Sequence, residues 1–386
     1  MARRRGATVA IDAVDAIFLR RTYELARRGR GGTLPNPCVG AVLARRTETL
    51  GEGFHRARGR AHAEVEALAA ARAAGSDVDG ATLYVSLEPC AHHGLTPPCI
   101  DAILEHGIAR VVIGTRDPDR TAAGGAERLR EAGVAVDVAD DRMAQQLIED
   151  FAVAATSTRP FVTLKMAASL DGFIAAKPGS TWLSGERARA YVRELRIAHD
   201  AVLVGAGTVR ADDPLLTVRP PHARRKPYVR VVACGSKLVP ADARVFAPVD
   251  GYARTIVLAP AGRRKRFAEL ERVADVTYFG DDKTTWHDPS LALAELKKLG
   301  ISSVLCEGGP MLAAALLEAG IVDRIHWIVT PQLLANDDAQ PVLKRANLTE
   351  KIAPFRFDRV EQIGDDIVLS ARLSVPAGEE IACLPD

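Results

Sequence analysis

The chain has 386 residues, 47% of them apolar and 26% charged, with a net charge of +2. That length is more than one hydrophobic core usually serves, so two domains are expected, and the balance excludes a disordered chain. Near-neutral charge gives no electrostatic reason to expect nucleic acid or a membrane surface as partner, and six cysteines are too few for a disulfide scaffold.

Arg3, Arg4 and Arg5 make a basic start with no apolar stretch behind it, so the segment does not read as a secretory signal. No window approaches the roughly 20 apolar residues of a membrane span. A soluble, cytoplasmic protein is expected. Residues 12–28 place Val14, Ile17, Phe18 and Leu25 near helical spacing. A buried strand is predicted at 38–44, a helix at 61–75 ended by Gly75, a strand at 81–87 and a helix at 99–107. Strand 109–115, helix 126–133, strand 134–138 and helix 140–155 follow. Strands alternating with helices predict an α/β domain on a largely parallel sheet.

The alternation pauses at the small polar stretch 155–160, which ends in Pro160 and reads as a linker. Domains are therefore expected at 1–155 and 156–386. In the second, 161–176 reads as strand, turn and strand, and 184–200 as a helix with Ser184 as its cap candidate. Strands are predicted at 201–207, 228–235, 253–259, 274–279 and 301–309, helices at 291–300 and 310–320, and closing strands at 324–330 and 366–373.

The stretch "SLEPCAHHGLTPPC" (86–99) carries Cys90 and Cys99 with eight residues between them. "HAE" (62–64) opens the predicted 61–75 helix, Cys90 ends a strand, and Cys99 opens another helix. His62, Cys90 and Cys99 together leave one position of a tetrahedral zinc for water, the layout of a catalytic site. Glu64 is the carboxylate that can take the water's proton and pass it to a ring nitrogen and a leaving amine. The pattern matches the zinc-deaminase signature H-x-E…P-C-x-x-C with a longer spacing between the cysteines. Because residues two apart on a helix face different ways, His62 must sit just before the first helical turn. His92 and His93, in the loop between the cysteines, are competing candidates for a ligand position, and His92 reads more as a substrate contact than as a ligand.

With "PNPCVGAVL" (35–43), "GEGFH" (51–55) and "HAEVEAL" (62–68), these residues resemble the deaminase half of the bifunctional deaminase/reductase family of riboflavin biosynthesis. The resemblance implies that Asn36 and His55 line the substrate pocket. "TLKMAASLDG" (163–172), "GAGTVRADDPLLTVR" (205–219) and "CEGGPMLAAALLEAG" (306–320) resemble the same family's reductase half, in the same order. It implies a cytidine-deaminase-like αβα sandwich followed by a dihydrofolate-reductase-like α/β domain. Zinc is the implied cofactor of the first half and NADPH of the second. NADPH would touch Ala167, Trp182, Thr208, Asp212, Ser236, Gly309, Pro310, Met311 and Leu312. The substrate would touch Ser180, Arg196, Leu215, Arg219 and Glu307, the arginines suiting a phosphate ester through their planar fork. Lys165 and Asp171 shape that site or pair at a strand end.

The implied reactions are hydrolysis of the 2-amino group of 2,5-diamino-6-ribosylamino-4(3H)-pyrimidinone 5′-phosphate, then reduction of the ribosyl chain by NADPH. The expected partner is that small phosphorylated pyrimidine, with no nucleic acid and no membrane, in a homo-oligomer. The chain departs from the family at Leu95, where a basic residue is usual, in "DPDRTAAGGA" (117–126), and at Cys234-Gly235-Ser236. A nucleic-acid-editing deaminase would want a basic groove with stacking aromatics, yet aromatic residues are only 5%. A folate reductase would lack Arg196 and Arg219. A non-catalytic binding protein would have no use for Glu64 beside three ligands.

Overall fold

A computed structural model describes residues 11–175, 183–219, 226–235, 237–281, 288–334, 338–344 and 355–373. The chain divides into two units, Met1–Ser157 and Thr158–Asp386. The first runs α1 (Ala13–Arg27), β1 (Gly40–Arg45), β2 (Glu48–Phe54), α2 (Ala63–Ala73), β3 (Thr82–Val85), α3 (Cys99–Glu105), β4 (Arg110–Ile113), α4 (Gly125–Glu131), β5 (Ala135–Val138), α5 (Arg142–Leu147) and α6 (Glu149–Thr156). Asp12 starts α1 with a reciprocal cap, its carboxylate accepting from the Asp15 amide.

Five strands form one sheet in the order β2-β1-β3-β4-β5. Strand alternation sends Ala41 and Leu43 of β1 to one face and Val42 and Ala44 to the other. The first face packs Ala67 and Ala71 of α2, Ile100 and Ile103 of α3, and Leu129 of α4. The second packs Phe18, Leu19 and Tyr23 of α1 with Ala144 and Leu147 of α5. The result is an αβα sandwich. The sheet is mixed rather than largely parallel, because β1 runs antiparallel to both β2 and β3. The sequence pattern did not foresee β2, whose glycines and acids lack the usual strand character. The helix predicted over 140–155 is broken at Ile148, whose backbone leaves the helical region (φ −116°, ψ 12°).

The second unit runs β6 (Phe161–Ser169), β7 (Phe173–Ala175), α7 (Glu186–Ala198), β8 (Ala201–Gly205), α8 (Ala206–Asp212), β9 (Val229–Ala233), β10 (Ile256–Pro260), β11 (Asp275–Phe279), α9 (Pro289–Lys298), β12 (Ser303–Cys306), α10 (Pro310–Glu318), β13 (Arg324–Thr330), β14 (Gln340–Pro341), β15 (Phe355–Ile363) and β16 (Asp366–Leu373). Nine strands form its sheet, β11-β10-β9-β8-β12-β6-β13-β16-β15. Pairing is parallel from β11 to β13 and antiparallel through β16 and β15. Leu293, Leu296, Leu316 and Leu317 of α9 and α10 cover one face. Val209 of α8 and Phe267 join the core on the other.

Ser184 is not the cap of α7. Gly185 is the N-cap residue, and its amide donates to Asp366 Oδ2 at 2.8 Å. The short helix α8 and the strand β15 also escaped the sequence reading. β15 mixes exposed and half-buried positions along its length, so it lacks the apolar alternation that betrays a strand. Among the described residues no helix is long and apolar enough to cross a membrane.

Candidate active sites

Three element ends bring the first site together. His62 is the N-cap residue of α2, with extended backbone (φ −73°, ψ 166°), so its ring leaves the helix in a different direction from the helical residues behind it. Glu64 lies in the first turn of α2 and is buried. Cys90 follows β3, and Cys99 is the first residue of α3, where a helix N-terminus favours thiolate. The donor atoms of His62, Cys90 and Cys99 all lie within 4.8 Å of one another.

His62 turns Nδ1 to both sulfurs, 3.1 Å from Cys99 Sγ and 3.5 Å from Cys90 Sγ, while its Nε2 is 3.3 Å from Thr96 Oγ1. A cation held by Nδ1 leaves the proton on Nε2, where Thr96 accepts it. The Cys99 amide donates to Cys90 Sγ at 3.4 Å. Hydrogen bonds from Cys99 and His62 pull the Cys90 thiol down to about 4, while Cys90 and burial push Cys99 up. The bond to Cys90 raises the His62 pKa, and burial raises that of Glu64. One imidazole and two thiols whose donor atoms lie within 4.8 Å of one another fit a zinc ion, with the three protein donors of a catalytic site.

These residues lie along a cavity of 240 Å³ whose lining includes His62, Glu64 and Cys90. Asn36, His55 and His92 line it as well. The His55 ring lies 3.1 Å by Nδ1 from the Ala61 carbonyl, to which it donates, so Nε2 faces the Asn36 amide at 3.4 Å as acceptor. Burial lowers the His55 pKa and keeps the ring neutral. Cavity residues that the sequence reading passed over are Arg58, Thr96, Asp117, Asp119 and Phe151. Burial raises Asp117 to about 7, with Asp119 and Glu88 adding repulsion. Glu88 is the hidden organiser of this wall. Its buried carboxylate accepts the amides of Asp117, Gly124 and Ala126, which holds the 117–126 loop over the cavity. The "EP" before Cys90 was the available signal for it.

In the second unit Glu307 follows β12 and Arg196 lies late in α7. Arg196 Nε and Nη2 bond the two Glu307 oxygens at 2.5 and 3.1 Å, and Nη1 donates to the Thr217 carbonyl at 2.8 Å. Burial opposes the charge on Glu307, but Arg196 and then Lys165 hold its pKa below the usual range. Burial in turn lowers Lys165, against the pull of Glu307. Asp213 instead receives the Arg244 amide at 2.8 Å. Thr208 of α8 accepts the Gly309 amide at 3.1 Å, tying the glycine turn to α8. Gly309 caps α10, Pro310 opens it, Met311 is exposed and Leu312 is buried. Ala167 is half-buried on β6, Asp212 ends α8 exposed, Leu215 is half-buried and Arg219 exposed. Asp171 accepts the Ser169 hydroxyl and the Leu334 amide, so it fastens the turn after β6. Ser180, Trp182 and Ser236 lie outside the described residues.

The profile described as "Cytidine and deoxycytidylate deaminase zinc-binding region" matches residues 13–115, and that of the "RibD C-terminal domain" matches 160–369. The chain is 39% identical over 363 residues to riboflavin biosynthesis protein RibD of Bacillus amyloliquefaciens, covering 93% of this chain and 96% of that one. It is 38% identical to RibD of Escherichia coli K12, covering 92% and 98%. A crystal structure of the diaminohydroxyphosphoribosylaminopyrimidine deaminase/5-amino-6-(5-phosphoribosylamino)uracil reductase of Thermotoga maritima superposes with a TM-score of 0.78 at 35% identity, covering 93% and 98%. RibD of Acinetobacter baumannii superposes at 0.77 with 32% identity, covering 94% and 99%. With both halves matched along nearly the whole chain, the protein belongs to the RibD family, the bifunctional enzymes of riboflavin biosynthesis that join a zinc-dependent deaminase to an NADPH-dependent reductase.

Proposed function

We propose that residues 1–155 carry the deaminase and 156–386 the reductase, and that the residues described above perform the two steps. The observation that carries the first is the convergence of His62, Cys90 and Cys99 beside Glu64. Bound there, zinc supplies a Lewis acid that makes water acidic enough to react near neutral pH. Glu64 takes a proton from the attacking water and gives it to the ring nitrogen, then takes the second proton from the hydroxyl of the resulting adduct and gives it to the departing amino group, which leaves as ammonia. Asn36 and His55 hold the pyrimidine, with His55 Nε2 orienting the Asn36 amide beside it. Thr96 fixes the His62 ring.

In the reductase NADPH, when bound, supplies the hydride. Glu307 faces the ribosyl hydroxyls as an acceptor, and Arg196 keeps it ionised and oriented. The fork of Arg196 is taken by Glu307, so the exposed Arg219 is the better anchor for the substrate phosphate. Ala167, Thr208, Asp212 and the 309–312 turn line the cofactor's path, with Leu215 beside the substrate. A homo-oligomer is supported by β15, which among the described residues is an edge strand of its sheet and exposes Phe357 (62%) and Val360 (64%). The enzyme is read as cytoplasmic, and near-neutral charge gives no electrostatic reason for a nucleic-acid or membrane partner.

The test is elemental analysis joined to turnover of the phosphorylated diaminopyrimidine. The protein purifies with zinc and releases ammonia, and Glu64→Gln keeps the zinc while losing ammonia release by at least about 100-fold, the lower range for a general acid–base group. Full activity without zinc, or a Glu64→Gln enzyme near wild-type rate, would refute the assignment.

A further inference from the structure

The deaminase cavity is acidic where it can be read. Glu64 and Glu88 are buried, and Asp117 and Asp119 add two more carboxyls to the lining. Its substrate carries a phosphate ester, a dianion that such a lining repels unless a cation meets it. Among the described residues that line the cavity, Arg58 is the one lysine or arginine.

Arg58 stands on the turn between β2 and α2, which also holds Arg56 and Arg60. Arg56 is directed elsewhere: its guanidinium lies over the Phe54 ring at 4.6 Å and pairs with Glu66 at 3.5 Å. Arg60 does not line the cavity. Burial gives the cavity a direction. His55, Glu64 and Leu87 are 2–3% exposed and mark its floor beside the zinc ligands, whereas Leu95 is 74% exposed and marks its mouth. Arg58 and Gly59 are exposed with Leu95, and a Cβ on Gly59 would lie 3.9 Å from Leu95 Cδ1. The cavity thus runs from a floor beside His62 and Glu64 to a rim that carries the Arg58 guanidinium. A ring with its amino carbon at the floor places the ribosyl phosphate at that rim.

We propose that Arg58 binds the 5′-phosphate of the deaminase substrate and makes the site selective for the phosphorylated pyrimidine over its dephosphorylated form. Its fork bonds two phosphate oxygens at once. Leu95 closes the same rim without competing for the charge. The inference rests on the deaminase reading given above.

The experiment compares ammonia release from the phosphorylated and dephosphorylated diaminopyrimidine riboside in wild type, Arg58→Ala, Arg58→Lys and the double variant Arg58→Ala/Leu95→Lys. Zinc content serves as the control for folding. Arg58→Ala lowers the kcat/KM ratio of phosphorylated to dephosphorylated substrate by about 10- to 100-fold, the loss of a charge-assisted hydrogen bond, and does so through KM. Arg58→Lys retains part of the preference, since it keeps charge but not the fork. The double variant recovers part of it, because a lysine at 95 reaches the same rim. An unchanged ratio in a zinc-loaded Arg58→Ala enzyme, or an equal loss on both substrates, overturns the role of Arg58 and leaves the deaminase standing. If the wild type releases no ammonia from the phosphorylated compound, the deaminase reading falls and takes the inference with it.

Discussion

Asp15 is 2% exposed on α1, and it holds the first unit together from inside. Its carboxylate accepts from both terminal nitrogens of Arg110 at 2.8 Å and from the Tyr84 hydroxyl at 3.0 Å, and Arg110 also reaches Asp137. Burial alone would raise the Asp15 pKa, but the bonds from Arg110 and Tyr84 hold it below the ordinary value. The stabilisation is therefore complete above the unfolded pKa near 3.9 and is lost as pH falls through the lowered folded value. Asp15→Asn leaves Arg110 without its main partner and costs about 2–3 kcal/mol at pH 7, below the usual range for a fully buried pair because Arg110 keeps some solvent. Hydrogen exchange of the β3 and β4 amides measures it, and the gap to wild type closes toward pH 3. A gap that persists at acid pH would show that packing, not charge, is at stake. None of this was legible in the sequence, because Asp15, Tyr84 and Arg110 sit far apart in the chain. His62, Glu64, Cys90 and Cys99 were legible because each chemistry-bearing residue marks the end of an element, which local pattern can locate. Thr96 and Arg58 were not, since a hydroxyl and an arginine in a loop carry no pattern until the fold brings them to the cavity.

At the scale of elements the site depends on how closely α2 lies on β2. A Cβ on Gly53 would run into the Ala63 carbonyl and the Ala67 amide, and one on Gly51 into the Ala67 carbonyl and the Ala71 amide. Bare backbone against helix backbone is what the "GEG" stretch is for. It is also why the strand was hard to see in the sequence: the residues that seat the helix are the ones that weaken a strand pattern. Gly53→Ala must push α2 off the sheet, and α2 carries His62 at its start and Glu64 in its first turn. The expected outcome is weaker zinc binding by about 10-fold or more, the scale on which disturbing a ligand's support acts, together with lost deamination. Competition with a chelator measures the first. A Gly53→Ala enzyme with unchanged zinc affinity would mean that α2 can shift without moving its ligand. The unforeseen β15 and α8 are a different failure. α8 is only seven residues long and is tied to the distant Gly309 turn, and β15, although it forms a hairpin with β16, lacks the apolar alternation that a local window registers.

At the scale of the whole molecule, the pause at 155–160 was legible because small polar residues and a proline interrupt two runs of alternating strand and helix. Each unit has a core of its own. Leu43, Leu83, Ile103 and Val111 belong to one, and Leu164, Leu203, Val231 and Leu316 to another. Each unit also has a complete set of candidate reactive groups. His62, Glu64, Cys90 and Cys99 all come from the first, and Lys165, Arg196, Arg219 and Glu307 all from the second. Chemistry confined to one core is insulated from a change of one atom type in the other. Glu64→Gln is therefore expected to leave NADPH oxidation within about twofold of wild type when the deaminated phosphoribosylaminouracil is supplied, a limit corresponding to the few tenths of a kcal/mol by which independent sites fail to add. Glu307→Gln is expected to do the converse: ammonia release stays intact while reduction falls, since Arg196 and Lys165 then face an uncharged amide. Steady-state assays of the two half-reactions in both variants decide it. If either change silences both reactions in a protein that keeps its zinc and its fold, the two sites share more than a chain, and the division at 155 describes packing without describing function.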